Sequence, residues 1–346
     1  MKRLITLILI VIMLSMQVSA MEFTAPTAPE AAEQFLPDSP GTFSQDLWYI
    51  IKKAIAFLYP SIAESADTCV AVIIIAILLS ILEGFTGISA KVVDLGGTIA
   101  VSTVLLSPTN ALIGLGIQTV EAMSEYGKLL LPIMTAALAA EGGSITSTGL
   151  YTGTVLFNTI LTTGITKLLI PMLYAYIALS VGKAAIHEKI LNNLHSFFKW
   201  LLTWTLKVSI YIFTGYLGIT GVISGTADAA AVKAAKLAIS GSVPVIGSII
   251  SDASETILVS AGVMKNAVGT YGLLAILATW IGPFLQIGIQ YLTLKITSAV
   301  CGVFGCKQVV SLIDSFCIAM GILVAMTGTI CLLLLISTVC FMKGVG

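Results

Sequence analysis

Residues 309–341 read VVSLIDSFCIAMGILVAMTGTICLLLLISTVCF, and Asp314 is the only charge in the stretch. About 20 consecutive apolar residues suffice to cross the hydrocarbon core of a bilayer as a helix, so this segment reads as a transmembrane helix. Working back towards the N-terminus, Val268 to Leu294 is a second strong span. Leu201 to Ile223 is a third, with Lys207 close enough to its start to snorkel. Leu150 to Val181 is one apolar tract interrupted by Lys167 and Pro171. It is long for one span and has no turn loop for two, so it reads either as a kinked, tilted helix or as a tight hairpin at Gly164 to Lys167. Leu129 to Ala140 is short, contains Pro132 and reads as half-inserted. Leu95 to Val120 carries Pro108 at its middle, and Thr68 to Leu82 is bounded by Asp67 and Glu83. The expected fold is therefore all-α, a polytopic transmembrane helical bundle of six to eight spans. No internal repeat is visible.

Composition agrees. Of 346 residues, 10% are charged and 57% are apolar, whereas about 25% charge is usual for a soluble domain. Mean hydropathy is +1.04. With 17 charges of each sign, the chain cannot cover a water-facing surface of this size. The balance also excludes the basic excess that nucleic-acid binding requires. Of the six cysteines, Cys69, Cys301, Cys317, Cys331 and Cys340 lie in or beside apolar runs. This favours buried structural thiols over a secreted disulfide framework or a metal set.

Lys2 and Arg3 precede an apolar run from Leu4 to Leu14, followed by Val18-Ser19-Ala20. That pattern is a cleaved signal peptide over residues 1–20, its rival being an uncleaved anchor. In either case the next segment starts outside the cytoplasm. Residues 21–67 form that extracytoplasmic segment, with prolines at 26, 29, 37 and 40 and seven acids against Lys52 and Lys53. From Phe43 to Tyr59 the spacing of Trp48, Ile51, Ile55 and Leu58 is helical. This amphipathic helix either lies in the membrane interface, with Trp48 and Tyr59 at headgroup level, or packs on the outer face of the bundle. Within the transmembrane region 68–225, residues 183–200 place Ile186, Ile190, Leu194 and Phe197 or Phe198 on one face. Lys183, Lys189 and Lys199 favour the cytoplasmic side for this surface helix. Elsewhere the lysines divide evenly between proposed inner and outer loops, so orientation rests on the signal peptide. Residues 266–346 hold the C-terminal transmembrane helices.

Between these regions, 226–265 reads as an alanine-rich helix, a Gly/Pro turn over Gly241 to Gly247, and a second helix. Lys236 and Asp252 each lie eight residues from Pro244, and Lys233 and Glu255 each lie eleven. In an antiparallel hairpin folded at Pro244, Lys236 would meet Asp252 and Lys233 would meet Glu255, both pairs on one face. Charges at membrane depth are costly unless paired. The segment is therefore either a re-entrant or interfacial hairpin held by two Lys–carboxylate pairs, or a solvated loop outside the membrane.

The same stretch resembles the stage III sporulation protein AE family of endospore-forming bacteria, most strongly in AAKLAISGSVPVIGSIISDASETIL (234–258) and MKNAVGTYG (264–272). The signal-peptide start, QFLPDSP (34–40) and the later spans through Ile281-Gly282-Pro283 support it. The resemblance implies a multi-pass protein of the mother-cell membrane around the engulfed forespore. It implies membership of a secretion-like channel complex connecting the two cells, required for forespore development after engulfment. The implied partners are other stage III sporulation A-operon proteins, including an ATPase and ring-forming proteins, and stage II sporulation protein Q on the forespore side. It supplies no catalytic residues and no cofactor.

The residues on their own favour a conduit or scaffold. Gly97, Gly114, Gly116, Gly215, Gly218, Gly221 and Gly225 permit close helix approach, and helices broken by Pro or Gly expose backbone groups that can line a polar path. Ordinary helix packing explains the same residues. The rival function is a secondary transporter or permease for a small solute. Its candidate intramembrane polar residues are Lys167, Asn158, Lys207, Gln286, Gln290 and Asp314, the last equally able to begin the final helix. Catalysis is not expected. His187-Glu188 lacks the second histidine of a zinc motif, because Leu191 stands there, and there is no Walker A sequence.

Overall fold

A computed structural model describes the backbone at residues 25–39, 41–85, 90–186, 188–242 and 247–343. Side chains are described over the same stretches except 83–85, 90–91, 220–242 and 247–261. The elements are α1 (Glu30–Glu33), α2 (Phe43–Phe85), α3 (Ala90–Ala140), α4 (Ser144–Gly164), a π-helical turn (Ile165–Leu169), α5 (Ile170–Ile186), α6 (Lys189–Ser242), α7 (Gly247–Val303) and α8 (Lys307–Lys343). The described residues contain helices and no strands. The expected signal peptide over residues 1–20 lies outside them.

Among the described residues, five helical stretches are long and apolar enough to cross a membrane: Phe43–Leu82, Val92–Ala140, Ser144–Ile186, Gly262–Val303 and Lys307–Lys343. Several are much longer than a span. At 1.5 Å per residue, the 51 residues of α3 would extend about 75 Å if straight, against a hydrocarbon core of about 30 Å. Glu121, Glu125 and Lys128 sit exposed on α3 between its two apolar stretches.

The short tract Leu129–Ala140 is therefore not a separate half-inserted element. It continues the helix that holds Leu95–Val120, and both Pro108 and Pro132 lie inside that helix. Likewise the amphipathic segment 43–59 and the tract 68–82 form one helix through Pro60. An interior proline costs one ladder hydrogen bond and bends the helix without necessarily ending it.

The tract from Leu150 to Val181 is a continuous helical run and not a hairpin. Pro171 has no N–H for the carbonyl of Lys167, and its ring crowds that carbonyl. The ladder widens to a π turn over Ile165–Leu169 in the turn just before it.

Helix α8 is the hub. It packs against α3, α4, α5, α6 and α7, and Leu312, Phe316, Leu323, Ile330 and Leu334 on it are fully buried. Its apolar run, which the sequence marks most clearly, is also the most enclosed of the five. Small residues set the approach distances. A Cβ on Gly116 would stand 2.6 Å from Leu323 Cδ1, and one on Gly127 2.8 Å from Leu334 Cδ2. Gly153 lies under the Tyr216 ring, whose hydroxyl donates to the Gly149 carbonyl at 2.9 Å. Gly97 meets Leu79, whereas Gly114, Gly215 and Gly218 face open space.

A smaller core joins the N-terminal segment to α7: Phe35 with Ala32, and Ile50 and Ala54 of α2, pack on Leu274 and Ala278. On the opposite side of α2, Trp48, Ile55 and Tyr59 remain exposed. The helix thus packs on the bundle through one face and offers the other to its surroundings. The expected surface helix over 183–200 is divided between two helices: Ile186 ends α5, while Ile190, Leu194 and Phe197 lie exposed at the start of α6, where His195 turns inward and stacks on Tyr176 at 4.4 Å between ring centroids.

Candidate functional site

Polar groups inside an apolar bundle are either satisfied by a neighbouring helix or aimed at something else. Most here are satisfied. Asn158 donates to the Ser124 carbonyl and hydroxyl at 3.3 and 3.2 Å, tying α4 to α3. Thr154 and Ser337 share a 3.0 Å hydroxyl pair between α4 and α8, and Trp280 Nε1 donates to Thr327 Oγ1 at 3.3 Å. Asn158 is therefore an interhelical clamp.

Asp314 is also engaged. Its Oδ1 accepts from Lys295 Nζ at 3.2 Å and from Ser298 Oγ at 2.9 Å, which locks the start of α8 to α7. Lys167 is exposed at the π turn. Lys207 is exposed as well, on the rim of a cavity of about 650 Å³ between α6, α7 and α8 whose walls are mainly apolar. These three candidate intramembrane charges do not converge. Pro244 and the side chains of Lys233, Lys236, Asp252 and Glu255 lie outside the described residues. Helix α6 ends at Ser242 and α7 begins at Gly247.

The exception is a cavity of about 350 Å³ where α2, α3 and α7 meet. Two proline-containing helices form part of its walls, with Pro60 of α2 and Pro108 of α3 both lining it. From α2 come Ser61, Glu64, Ser65 and Thr68; from α7 come Gln286 and Gln290. Spacings of three and four put each set on a single helix face. Glu64 is the only charged residue in the lining. Gln290 is 2% exposed, and its Nε2 has no hydrogen-bond partner among the described residues. An unpaired buried donor or acceptor of this kind costs about 1–3 kcal/mol, and Gln290 Nε2 shares that condition with Asn158 Oδ1, Thr109 Oγ1 and His195 Nε2, among others; Gln290 differs from these three in lining the cavity.

Of the polar residues singled out from sequence, Gln286 and Gln290 are thus brought together with each other. Sequence reading missed Glu64 and the hydroxyls beside it. The signal was present in the i, i+3, i+4 and i+7 spacing of Ser61, Glu64, Ser65 and Thr68 along one helix, but these residues read as part of a water-facing segment.

Also missed was an ion pair between Lys265 Nζ, which is 2% exposed, and Glu141 Oε2, which is 28% exposed. It fastens the beginning of the membrane-crossing part of α7 to the turn after α3. Among the described residues no group of three or more His, Cys, Asp or Glu is placed to hold a metal ion. Cys69, Cys301, Cys306, Cys317 and Cys331 are buried and Cys340 is half-buried.

The sequence pattern of the family described as stage III sporulation protein AE matches residues 31–344. The chain belongs to this family. A curated relative, stage III sporulation protein AE of Bacillus subtilis, is 22% identical over 199 residues, which cover 57% of this chain and 49% of the relative. The chain thus aligns with about half the length of that curated family member. No solved structure matches. The family match takes in the whole helical bundle from the α1 region to the end of α8, including the Pro60–Pro108 cavity.

Proposed function

We propose that this member of the stage III sporulation protein AE family is an integral component of a sporulation-specific channel or secretion-like complex between mother cell and forespore. It acts as the membrane platform or as part of the pore, without catalysing a reaction. The observation that carries this reading is the family match over 31–344. The five membrane-length apolar helices support it, since a platform must stay in the bilayer while its helices reach beyond it.

Its place in this reading is the mother-cell membrane around the forespore. Its partners there are the other stage III sporulation A-operon proteins, an ATPase and ring-forming proteins among them, with stage II sporulation protein Q on the forespore side. In-cell crosslinking during engulfment, followed by purification of the tagged full chain, tests this. Recovery of the ring-forming and ATPase components supports the platform role, and recovery of none of them at any stage refutes it.

A second reading, a secondary transporter or permease for a small solute, is favoured by one observation. The cavity bearing Gln286 and Gln290 is a polar concavity between helices of an otherwise apolar bundle, the kind of place where small ligands bind. Solute exchange by the purified chain alone in liposomes would favour it over the platform.

A further inference from the structure

We propose that the cavity between α2, α3 and α7 binds a small, partly hydrated monovalent cation, with Glu64 at its exposed mouth as the counter-charge and Gln290 as the buried carboxamide that orders its water. The proposal does not depend on the platform reading. Four observations point to it.

The lining contains one carboxylate and no Lys, Arg or His, so the site carries a formal charge of one sign only. An anion would find donors but no positive charge there, and would be repelled by Glu64, whereas a cation would find that carboxylate at the exposed side of the cavity. The remaining polar lining is oxygen-rich or amide: the hydroxyls of Ser61, Ser65 and Thr68 and the carboxamides of Gln286 and Gln290. Oxygen donors of this kind suit hard cations and ammonium groups.

Gln290 is buried and its amide nitrogen is unpaired. Its N–H groups are donors, so Gln290 would hold the oxygen of a water that solvates the cation, with its carboxamide oxygen as the acceptor. Finally, Pro60 and Pro108 each remove a backbone donor on α2 and α3, leaving the carbonyls of Ala56 and Val104 without their ladder partners.

Size sets the class of ligand. A water occupies about 30 Å³ in the liquid, so about 350 Å³ exceeds the needs of a bare ion. The space fits a cation that keeps part of its water, or a small primary ammonium whose N–H groups donate to Glu64 and the hydroxyls. A single carboxylate balances one positive charge, which favours monovalent over divalent ions.

The test uses the purified full chain in lipid nanodiscs, with thermal unfolding followed as sodium, potassium or methylammonium chloride replaces choline chloride at constant ionic strength. Choline has no N–H to donate and cannot be approached closely by the ligand oxygens. At least one of the three cations is expected to raise the unfolding midpoint saturably, with Glu64→Gln weakening its apparent affinity tenfold or more. Stabilisation by sodium or potassium identifies an inorganic ion, and stabilisation by methylammonium alone identifies an organic ammonium.

Because Gln290→Leu could disturb packing, Gln290→Glu provides a second reading and is expected to tighten binding. Glu125→Gln, on the exposed face of α3, should leave it unchanged. Equal midpoints in all four salts would overturn the proposal. So would an ion effect that survives Glu64→Gln undiminished or that Glu125→Gln abolishes equally.

Discussion

The Glu141–Lys265 pair is asymmetric, and the asymmetry predicts which partner can be lost. Lys265 is 2% exposed, while Glu141 is 28% exposed at the turn after α3. Glu141→Ala would strand a buried ammonium with no carboxylate beside it. Breaking a buried pair in this way costs about 3–5 kcal/mol. Lys265→Met keeps the length and apolar stem of the side chain and leaves a carboxylate that already reaches solvent. Its loss should resemble that of a surface pair, about 1 kcal/mol or less.

Replacing both residues, with Glu141→Leu and Lys265→Met together, should recover most of the single-variant loss, because no charge is then stranded. Gly262 supplies an independent probe: a Cβ there would stand 2.9 Å from Glu141 Oε1, so Gly262→Ala should push the carboxylate aside and destabilise modestly. The assay is unfolding of the purified full chain in mixed micelles, with free energies from the midpoint and slope for wild type, both singles and the double. Equal costs for the two singles, or a larger cost for Lys265→Met, would refute the reasoning.

Three further outcomes are expected. Burial first, then the nearby Lys183 and Lys199, holds the His195 imidazole down at about 4 from its ordinary 6.5. The unfolded chain therefore takes up the proton first, and stability should fall as pH drops from about 6.5 to about 4. His195→Phe, which keeps the stack on Tyr176, should flatten that part of the profile relative to wild type in pH-dependent unfolding. Gly153→Val should cost about 1–3 kcal/mol through overpacking against the Tyr216 ring, whereas Gly215→Ala, facing open space, should cost almost nothing; thermal midpoints compare them. Intact-mass measurement of the protein recovered from membranes should show an N-terminus at Met21, and retention of Met1 would identify an uncleaved anchor instead.

Helical class and the main apolar tracts were legible because apolar run length is a one-dimensional property. Residues 309–341 announce a membrane helix on their own, and the same helix proves to be the hub of the bundle. Continuity was harder to read. Pro108 and Pro132 read as lying within separate apolar tracts, yet α3 runs through both and joins those tracts, and α2 runs through Pro60 to join the amphipathic segment to the first span, since packing on neighbouring helices offsets one missing hydrogen bond. At Pro171 the sequence left a kink and a hairpin open, and the π turn over Ile165–Leu169 shows the kinked run.

Small residues were visible but not their partners. Gly97 and Gly116 are close-approach points as their composition suggested, Gly215 and Gly218 are not, and Gly153 was overlooked because its partner Tyr216 is distant in the chain. The polar cavity was half legible for the same reason. Gln286 and Gln290 stand out in an apolar tract, but Glu64 belongs to a stretch rich in charge, and only the packing of α2 on α7 brings them to one space. The pairing proposed for Lys233, Lys236, Asp252 and Glu255 lies outside the described residues, and single-cysteine labelling at Ser242 and Ser248 would locate that segment relative to the membrane.

The central claim is that this chain serves the membrane complex through which the mother cell supports the forespore. The most direct measurement is a clean deletion in the sporulating host, complemented in trans and scored for engulfment, late forespore gene expression and heat-resistant spores. The account predicts normal engulfment, loss of late forespore expression and of spores, and full rescue by the intact chain. Sporulation that proceeds undisturbed past engulfment in the deletion strain would contradict it.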